Sequence, residues 1–482
     1  MSLTSAFNGA LSGLQAFGKL SEAISSNVAN ATTPGYGKRT VSLSANEIGG
    51  GVNIVGTERS TEPAILAARR SAEAQFASAE MTAAFQSQLM SVLGTPDDSG
   101  SLSARLAAFE GSLIEAAAAP DAPARLDRAV FQAQDVVSVL NAAAETISDA
   151  RSAADRSIAS QVDQLNSALS DIQELNVQIT LSRSRGLETA SLMDQRQLII
   201  DSVNEIVPLR EIARPNGQVA LMSEGGAILL DGTPAQIAFS TSSTVTPYQT
   251  VQSGTLSQLT VNGIPVPMES ASSLLRGGTL AAQFTIRDVL APQAQVELDA
   301  VARNLVERFQ DTNVDPTLST GQPGLFTDAG NAFDPVNELG IANRISISPA
   351  VDPTQNGESW RMRAGIGALV PGATGNADVL NAMRDALTDT RTIASGSLSQ
   401  VASFERLVSE LTSWAGSQSS RADARLSFVS ATFAETQSAE LSQGIDTDEQ
   451  LQNLLLVEKA YAANARVLQT VDEMMDTLLG LG

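Results

Sequence analysis

The sequence predicts an α+β protein, mainly α, in which the terminal helices pair as a coiled coil, long helices build a middle domain, and a small β-rich insert lies outside. Three patterns predict this: apolar heptad stripes at both chain ends, a long helical periodicity between 126 and 179, and a turn-punctuated stretch at 206–275.

From the N-terminus, Leu3, Phe7, Ala10, Leu14, Phe17, Ser21, Ile24 and Val28 succeed one another at steps of four and three, which is a heptad seam with one polar member. NVANATTPGYGKR at 27–39 then stops the helix. Asn30, Pro34 and Gly35 are helix-ending residues, because proline cannot donate to the ladder and biases Thr33 toward extended backbone. The alternation at 40–44 and VNIV at 52–55 read as short strands about a flexible GGG at 49–51.

Helical composition runs from about 62 to 93, breaks at GTPDDSGS (94–101), and resumes to Ala119. After PDAP at 120–123, Leu126, Val130, Ala133, Val137, Leu140, Ala144 and Ile147 keep the four-three rhythm, and Ile158 to Ile179 resume it after Arg151. One helix of that length extends on the order of 80 Å, which implies a rod-like body. NG at 216, GG at 225, DG at 231 and NG at 262 separate alternating runs such as QVALM and QLTVN, as hairpins require. Helix returns at about 279–310 and 378–438, around an irregular, strand-poor stretch to about 375. The C-terminal seam is Leu454, Val457, Tyr461, Asn464, Leu468, Val471, Met475 and Leu478, apolar but for Asn464. A lone Asn in such a seam fixes register at some cost in stability. Apolar residues off the seams, Leu11, Leu20, Leu455 and Leu479, make the stripes wider than a two-helix coil can cover, which invites neighbouring subunits.

Composition removes most alternatives. The 482 residues carry a formal charge of −23, three lysines (Lys19, Lys38, Lys459) and no basic cluster, so phosphate-backbone binding lacks a source and nucleic acid is not an expected partner. With no cysteine and no histidine, thiol and imidazole catalysis and zinc, haem or copper sites are excluded. No apolar run is long enough to span a bilayer, so no membrane insertion is expected, and the N-terminus lacks the pattern of a cleaved secretory signal. Asp311, Asn313 and Asp315 start like a calcium loop, but Pro316 and Gln322 replace the glycine and the bidentate acid, so no metal or other cofactor is expected. Asp446, Asp448 and Glu449 read as N-terminal helix charges rather than a catalytic pair, and Asn30-Ala-Thr32 as a helix end rather than a glycosylation triplet. The expectation is no enzyme; a carboxylate-only hydrolase of cell-wall glycan would need an acid pair that the sequence does not supply.

These residues also carry a family likeness. Asn27, Val28, Ala29, Asn30, Thr33, Pro34, Gly35 and Tyr36 resemble the signature of axial proteins of the bacterial flagellum, and IDTDEQLQNLLLVEKAYAANARVLQTVDEMMDTLLGL resembles their C-terminal end. Between them, 159–179, DQRQLIIDSVNEIV at 194–207, NGQVALMSEGGAILLDG at 216–232 and 277–310 resemble the interior of the FlgK family of hook-associated proteins. Gly37, Lys38 and Gln197 depart from the family's usual residues, and 313–375 looks short. The resemblance implies a structural subunit of the hook-filament junction, secreted and extracellular; a hook or distal rod subunit is the alternative. It further implies self-association in a ring, hook protein and the third hook-associated protein as neighbours, passage through the type III export apparatus, and a flagellar export chaperone on the C-terminal helix. The expected division is 1–45 with 440–482 as the terminal coil and 46–205 with 276–312 and 376–439 as the helical middle. Segment 206–275 is the β-rich part, and 313–375 an irregular outer segment.

Overall fold

The first and last helices lie side by side. The computed structural model describes residues 3–46, 50–242, 244–268, 270 and 272–479; Gly49 of the glycine break and Ser243, Glu269 and Ala271 of the β-rich stretch fall outside them. Helix α1 (Leu3–Ala29) packs antiparallel on α12 (Thr447–Leu479). The direction follows from two contacts: Asn27 near one end of α1 donates to Gln450 at the start of α12, and Asn464, further along, lies over Gly13. A Cβ on Gly13 would sit 2.9 Å from the Asn464 amide nitrogen, so the polar member of the C-terminal seam rests where residue 13 has no side chain.

The buried face of α1 is Ala10, Gly13, Ala16, Ala23, Ile24 and Asn27, mostly small residues that let the two backbones approach. The seam expected from the spacing is turned partly away from α12. Ile24 is buried, Leu3, Leu14, Phe17 and Val28 lie at the margin, and Phe7 is 44% exposed. A hairpin of β1 (Lys38–Ala45) and β2 (Val52–Ser60) covers another side of α1, where Ser12 Oγ accepts the Val52 amide at 3.1 Å.

The body begins with α2 (Pro63–Leu93), α3 (Leu102–Ala118), α4 (Pro123–Ser184) and α5 (Ala190–Asn204). Helix α2 pairs with α11 (Phe404–Ser442), again antiparallel, with Phe76 stacked on Phe433 at 5.6 Å and Arg69 paired to Glu440 at 2.9 Å. The 62 residues of α4 form one continuous helix, about 93 Å long at about 1.5 Å per residue, and it serves two separate cores.

The first core surrounds Leu126 to Ile147 and takes in α3, α7 (Ala291–Phe309), α10 (Asp378–Thr388) and the start of α11. Phe109, Phe309 and Phe326 form an aromatic cluster there, with Phe309 and Phe326 edge to face at 4.9 Å. Val314, Leu325, Phe326, Ile341, Ile345 and Met362, all from segment 313–375, are buried in this same core. The second core surrounds Ile158 to Ile172 and is closed by α5, α6 (Gly278–Thr285) and the antiparallel sheet β3 (Leu209–Ala213), β4 (Val219–Ser223), β5 (Ile228–Asp231) and β6 (Thr233–Pro234). A three-stranded sheet, β7 (Ile237–Ala238), β8 (Leu259–Val261) and β9 (Ile264–Val266), flanks it. Its β8–β9 turn has Asn262 and Gly263 both at positive φ, 52° and 79°, the type I′ arrangement that an Asn-Gly pair favours.

A polar belt divides the two cores. Arg287, wholly buried in a π-helical turn at Ile286–Leu290, pairs with Asp155 at 2.6 Å and with Asp288 at 2.8 Å, and lies against the rings of Phe239 and Phe284. Arg151, one turn before Asp155, donates to the carbonyls of Arg287, Thr246 and Gln249. Burial first, with the neighbouring Arg287 charge also acting against the cation, lowers the Arg151 pKa despite the attraction of Asp288 and Asp155. Substituting Arg287 with Ala strands the buried Asp155 carboxylate and should cost about 3–5 kcal/mol in urea unfolding, while Arg287→Met with Asp155→Leu should cost less.

Asp299 of α7 gives a pH signature. Burial raises its carboxyl from 3.8 to about 6, although it accepts the Gly340 and Ala342 amides at 2.7 and 2.9 Å. A folded pKa above the unfolded one means the contribution is whole below pH 3.8 and is lost as pH rises through about 6. The stability difference between the protein and Asp299→Asn should therefore shift by about 3 kcal/mol between pH 3.5 and 7, with the native chain losing ground at the higher pH.

Candidate assembly interface

The signature turn is held by one buried side chain. Asn27 is buried in the last turn of α1, and its carboxamide donates twice and accepts twice. Its Nδ2 donates to the Arg39 carbonyl at 2.9 Å and to Gln450 Oε1 at 3.1 Å. Its Oδ1 accepts the Arg39 amide at 2.7 Å and the Tyr36 hydroxyl at 3.1 Å. Helix α1, the turn, β1 and α12 thus meet on one residue.

The rest of the signature builds the turn. Asn30 Nδ2 donates to the Ser26 carbonyl, the Thr33 amide to the Asn30 carbonyl, and the Tyr36 amide to the Thr33 carbonyl. Gly35 takes φ 75°, and a Cβ there would meet Leu198 of α5 at 2.6 Å, so glycine is required twice over. Tyr36 lies in hydroxyl contact with Ser26 at 2.9 Å, and the Arg39 guanidinium covers its ring at 4.7 Å, so its polar and ring contacts are made inside one subunit. Lys38 reaches Glu449 at 3.6 Å, from strand to α12. Val28 is half-buried, and Ala29, Thr33 and Pro34 are exposed.

Three residues of this node have no role that residue type or spacing predicts: Arg39, Arg59 and Asp194. Asp194 of α5 receives the Gly37 amide at 3.0 Å, the Arg59 Nε at 2.6 Å, and the Arg39 guanidinium. Arg59 also donates to Gln197 and to the Gly35 carbonyl. Gln197, which departs from the acidic residue usual in the resemblance, is therefore in use as an acceptor. Their one legible trace is the cross-strand register that places Arg39 opposite Arg59.

Along the coil, apolar surface points outward. Of α12 only Gln450 and Val471 are buried; Leu454, Val457, Asn464 and Leu468 are half-buried, and Tyr461, Met475 and Leu478 are 48%, 49% and 58% exposed. Leu455, Leu456 and Leu479 are exposed as well, at 57%, 63% and 75%. Among the described residues no group of acids, histidines or cysteines could hold a metal ion. The carboxylates that drew attention serve the backbone instead: Asp315 accepts the Thr317 and Ile366 amides, and Asp446 those of Asp448 and Glu449 at the start of α12. No helix among the described residues is long and apolar enough to cross a membrane.

A family model described as the flagellar hook-associated protein FlgK helical domain matches residues 86–326, half of the chain and most of the body. The chain belongs to the FlgK family. A second model, the C-terminal part of flagellar basal body rod FlgEFG proteins, matches 437–481 and so covers α12. Flagellar hook-associated protein 1 of Bacillus subtilis is 25% identical over the whole of this chain and 99% of its own length. Those of Salmonella typhimurium and Escherichia coli are each 23% identical over 99% of this chain and 100% of theirs. The structure of the flagellar hook junction protein FlgK from Burkholderia pseudomallei aligns with a TM-score of 0.45 at 22% identity, over 54% of this chain and 46% of that one. As a member of the FlgK family the chain is a structural component of the bacterial flagellum and associates with other flagellar components.

Asn27→Ala would leave the Tyr36 hydroxyl, the Arg39 amide and Gln450 without their partner. Amide hydrogen exchange should report a local loss of about 2–4 kcal/mol across 36–45 and 447–455, with the two cores protected as before.

Proposed function

We propose that this FlgK-family chain assembles through its terminal coil, copies associating in a ring between hook protein and the third hook-associated protein. The chain is a structural subunit of the hook-filament junction, the role of its family. One observation carries the assembly reading: α1 turns its small residues toward α12, α12 buries little beyond Gln450 and Val471, and Phe7, Tyr461, Met475 and Leu478 stay on the outside. An isolated pair of this kind leaves more apolar surface wet than a finished subunit keeps. In the ring that surface is buried against neighbouring copies, with the helical body as the wall and the β-rich part outside. Before assembly a flagellar export chaperone covers α12, and the chain passes through the type III export apparatus to act outside the cell. The likeness of residues 437–481 to rod and hook proteins favours, for the ends alone, a hook or distal rod subunit; the body match to the FlgK helical domain favours the junction.

A strain lacking the chain should keep its hooks and release flagellin into the medium, and the native gene should restore filaments. Complementation with Met475→Asp/Leu478→Asp should yield a folded, exported protein that does not restore them. Missing hooks would point to the rod or hook reading, and filaments on the double variant would remove the exposed seam as an interface.

A further inference from the structure

We propose that Asp194 is the positioning residue that sets the angle at which the terminal unit leaves the helical body. The joint between those parts is polar. Among the described residues neither hydrophobic core includes a side chain of α1, the β1–β2 hairpin or α12, so apolar packing does not fix their orientation. From α5 the gap is crossed by Asp194, by Gln197 taking the Arg59 guanidinium and by the half-exposed Leu198 lying over Gly35, with Glu188 nearby taking the Thr57 hydroxyl at 3.1 Å and Lys19 at 4.0 Å from exposed positions.

The hairpin is built to need this acid. Arg39 and Arg59 stand directly opposite each other on β1 and β2, and like charges in that register push a two-stranded ribbon apart. Both side chains are about nine-tenths buried, and the carboxylate between them is 14% exposed, so water screens little of the repulsion. Asp194 answers both cations and takes the Gly37 amide as well. Three donors, from the turn and from each strand, fix the direction as well as the distance of the carboxylate. Gly37 completes the seat, since a Cβ there would lie 2.6 Å from the Arg59 side chain.

On its other side α5 is rigid. Arg196 donates to Asn176 of α4 and to the Gly217 carbonyl, and Ile200 and Val203 are buried in the second core. Asp194 is thus the outward tooth of an element locked to the body, gripping the one part of the terminal unit that Asn27 ties to both terminal helices. The inference rests on the assembly reading only for its consequence, which is that this angle presents the coil to neighbouring copies.

The full chain has no cysteine, so two introduced ones can be spin-labelled without background. Exposed Gln15 on α1 and Asp163 on α4 report the angle; Gln15 and exposed Gln469 report the coil itself. The native chain should give one narrow Gln15–Asp163 distance. Asp194→Asn and Asp194→Ala should each widen that distribution about twofold as further conformers populate, while Gln15–Gln469 stays narrow and the thermal unfolding of the body does not move. Arg39→Gln/Arg59→Gln approaches the same joint from the other side and should widen it too. An unchanged Gln15–Asp163 distribution in all of these would overturn the proposal, as would widening of both pairs together, which would make Asp194 a support of the coil fold. Met475→Asp/Leu478→Asp should keep the narrow distance whether or not it assembles, so failure of the assembly reading and failure of this one are told apart.

Discussion

The carboxamide of Asn27 is the one group on which both ends of the chain depend. A helix end normally leaves its last carbonyls to water, and a hairpin of two strands is marginal by itself. Here a single side chain takes the amide and carbonyl of Arg39 in β1, the hydroxyl of Tyr36 and the amide oxygen of Gln450 in α12. Only Asn or Gln offers two donors and an acceptor on one planar group, and Gln would carry them one methylene too far for the Arg39 backbone. The small residues of α1 act in concert with it: with Ala10, Gly13 and Ala16 facing α12, the helices approach near enough for Gln450 to be within reach.

Away from the ends the same economy of polar anchors recurs. Arg308, fully buried, gathers the carbonyls of Ala386, Asp389 and Ala402, and burial brings its pKa down to about 10. Arg363 does the same for Pro120 and Pro371. Such residues let irregular segments end inside a core without unpaired carbonyls. Asp299 and Asp315, which take the amides of Gly340, Ala342 and Ile366, join Arg363 in holding 313–375, poor in secondary structure, to the main body.

Periodicity made the helices legible: the stripes of α1, α4 and α12 and the breaks at Pro34, Gly94 and Pro120 follow from residue type and spacing. The large side chains of the α1 stripe are not its most deeply buried residues, because closeness of approach selects the small ones while Phe7 and Leu11 stay outside. Phe326 and Met362, buried in segments without regular spacing, left no pattern to read. Asp194 could be quoted as part of a motif but not assigned a role, since its partners lie more than 130 residues earlier and the pairing exists only once the body has folded. The turn at 33–36 is legible as a helix stop; the bonds of its tyrosine to Asn27 and Ser26 are not.

Helix α4 has a mechanical meaning. Because one uninterrupted helix is shared by two cores and clamped at Arg151 and Asp155 between them, neither core can tilt without bending it. The body is therefore a stiff strut, and compliance is concentrated where ion pairs rather than packed side chains join it to the terminal unit. A load on such a subunit would be taken up as a small swivel at α5 and leave the two cores undeformed.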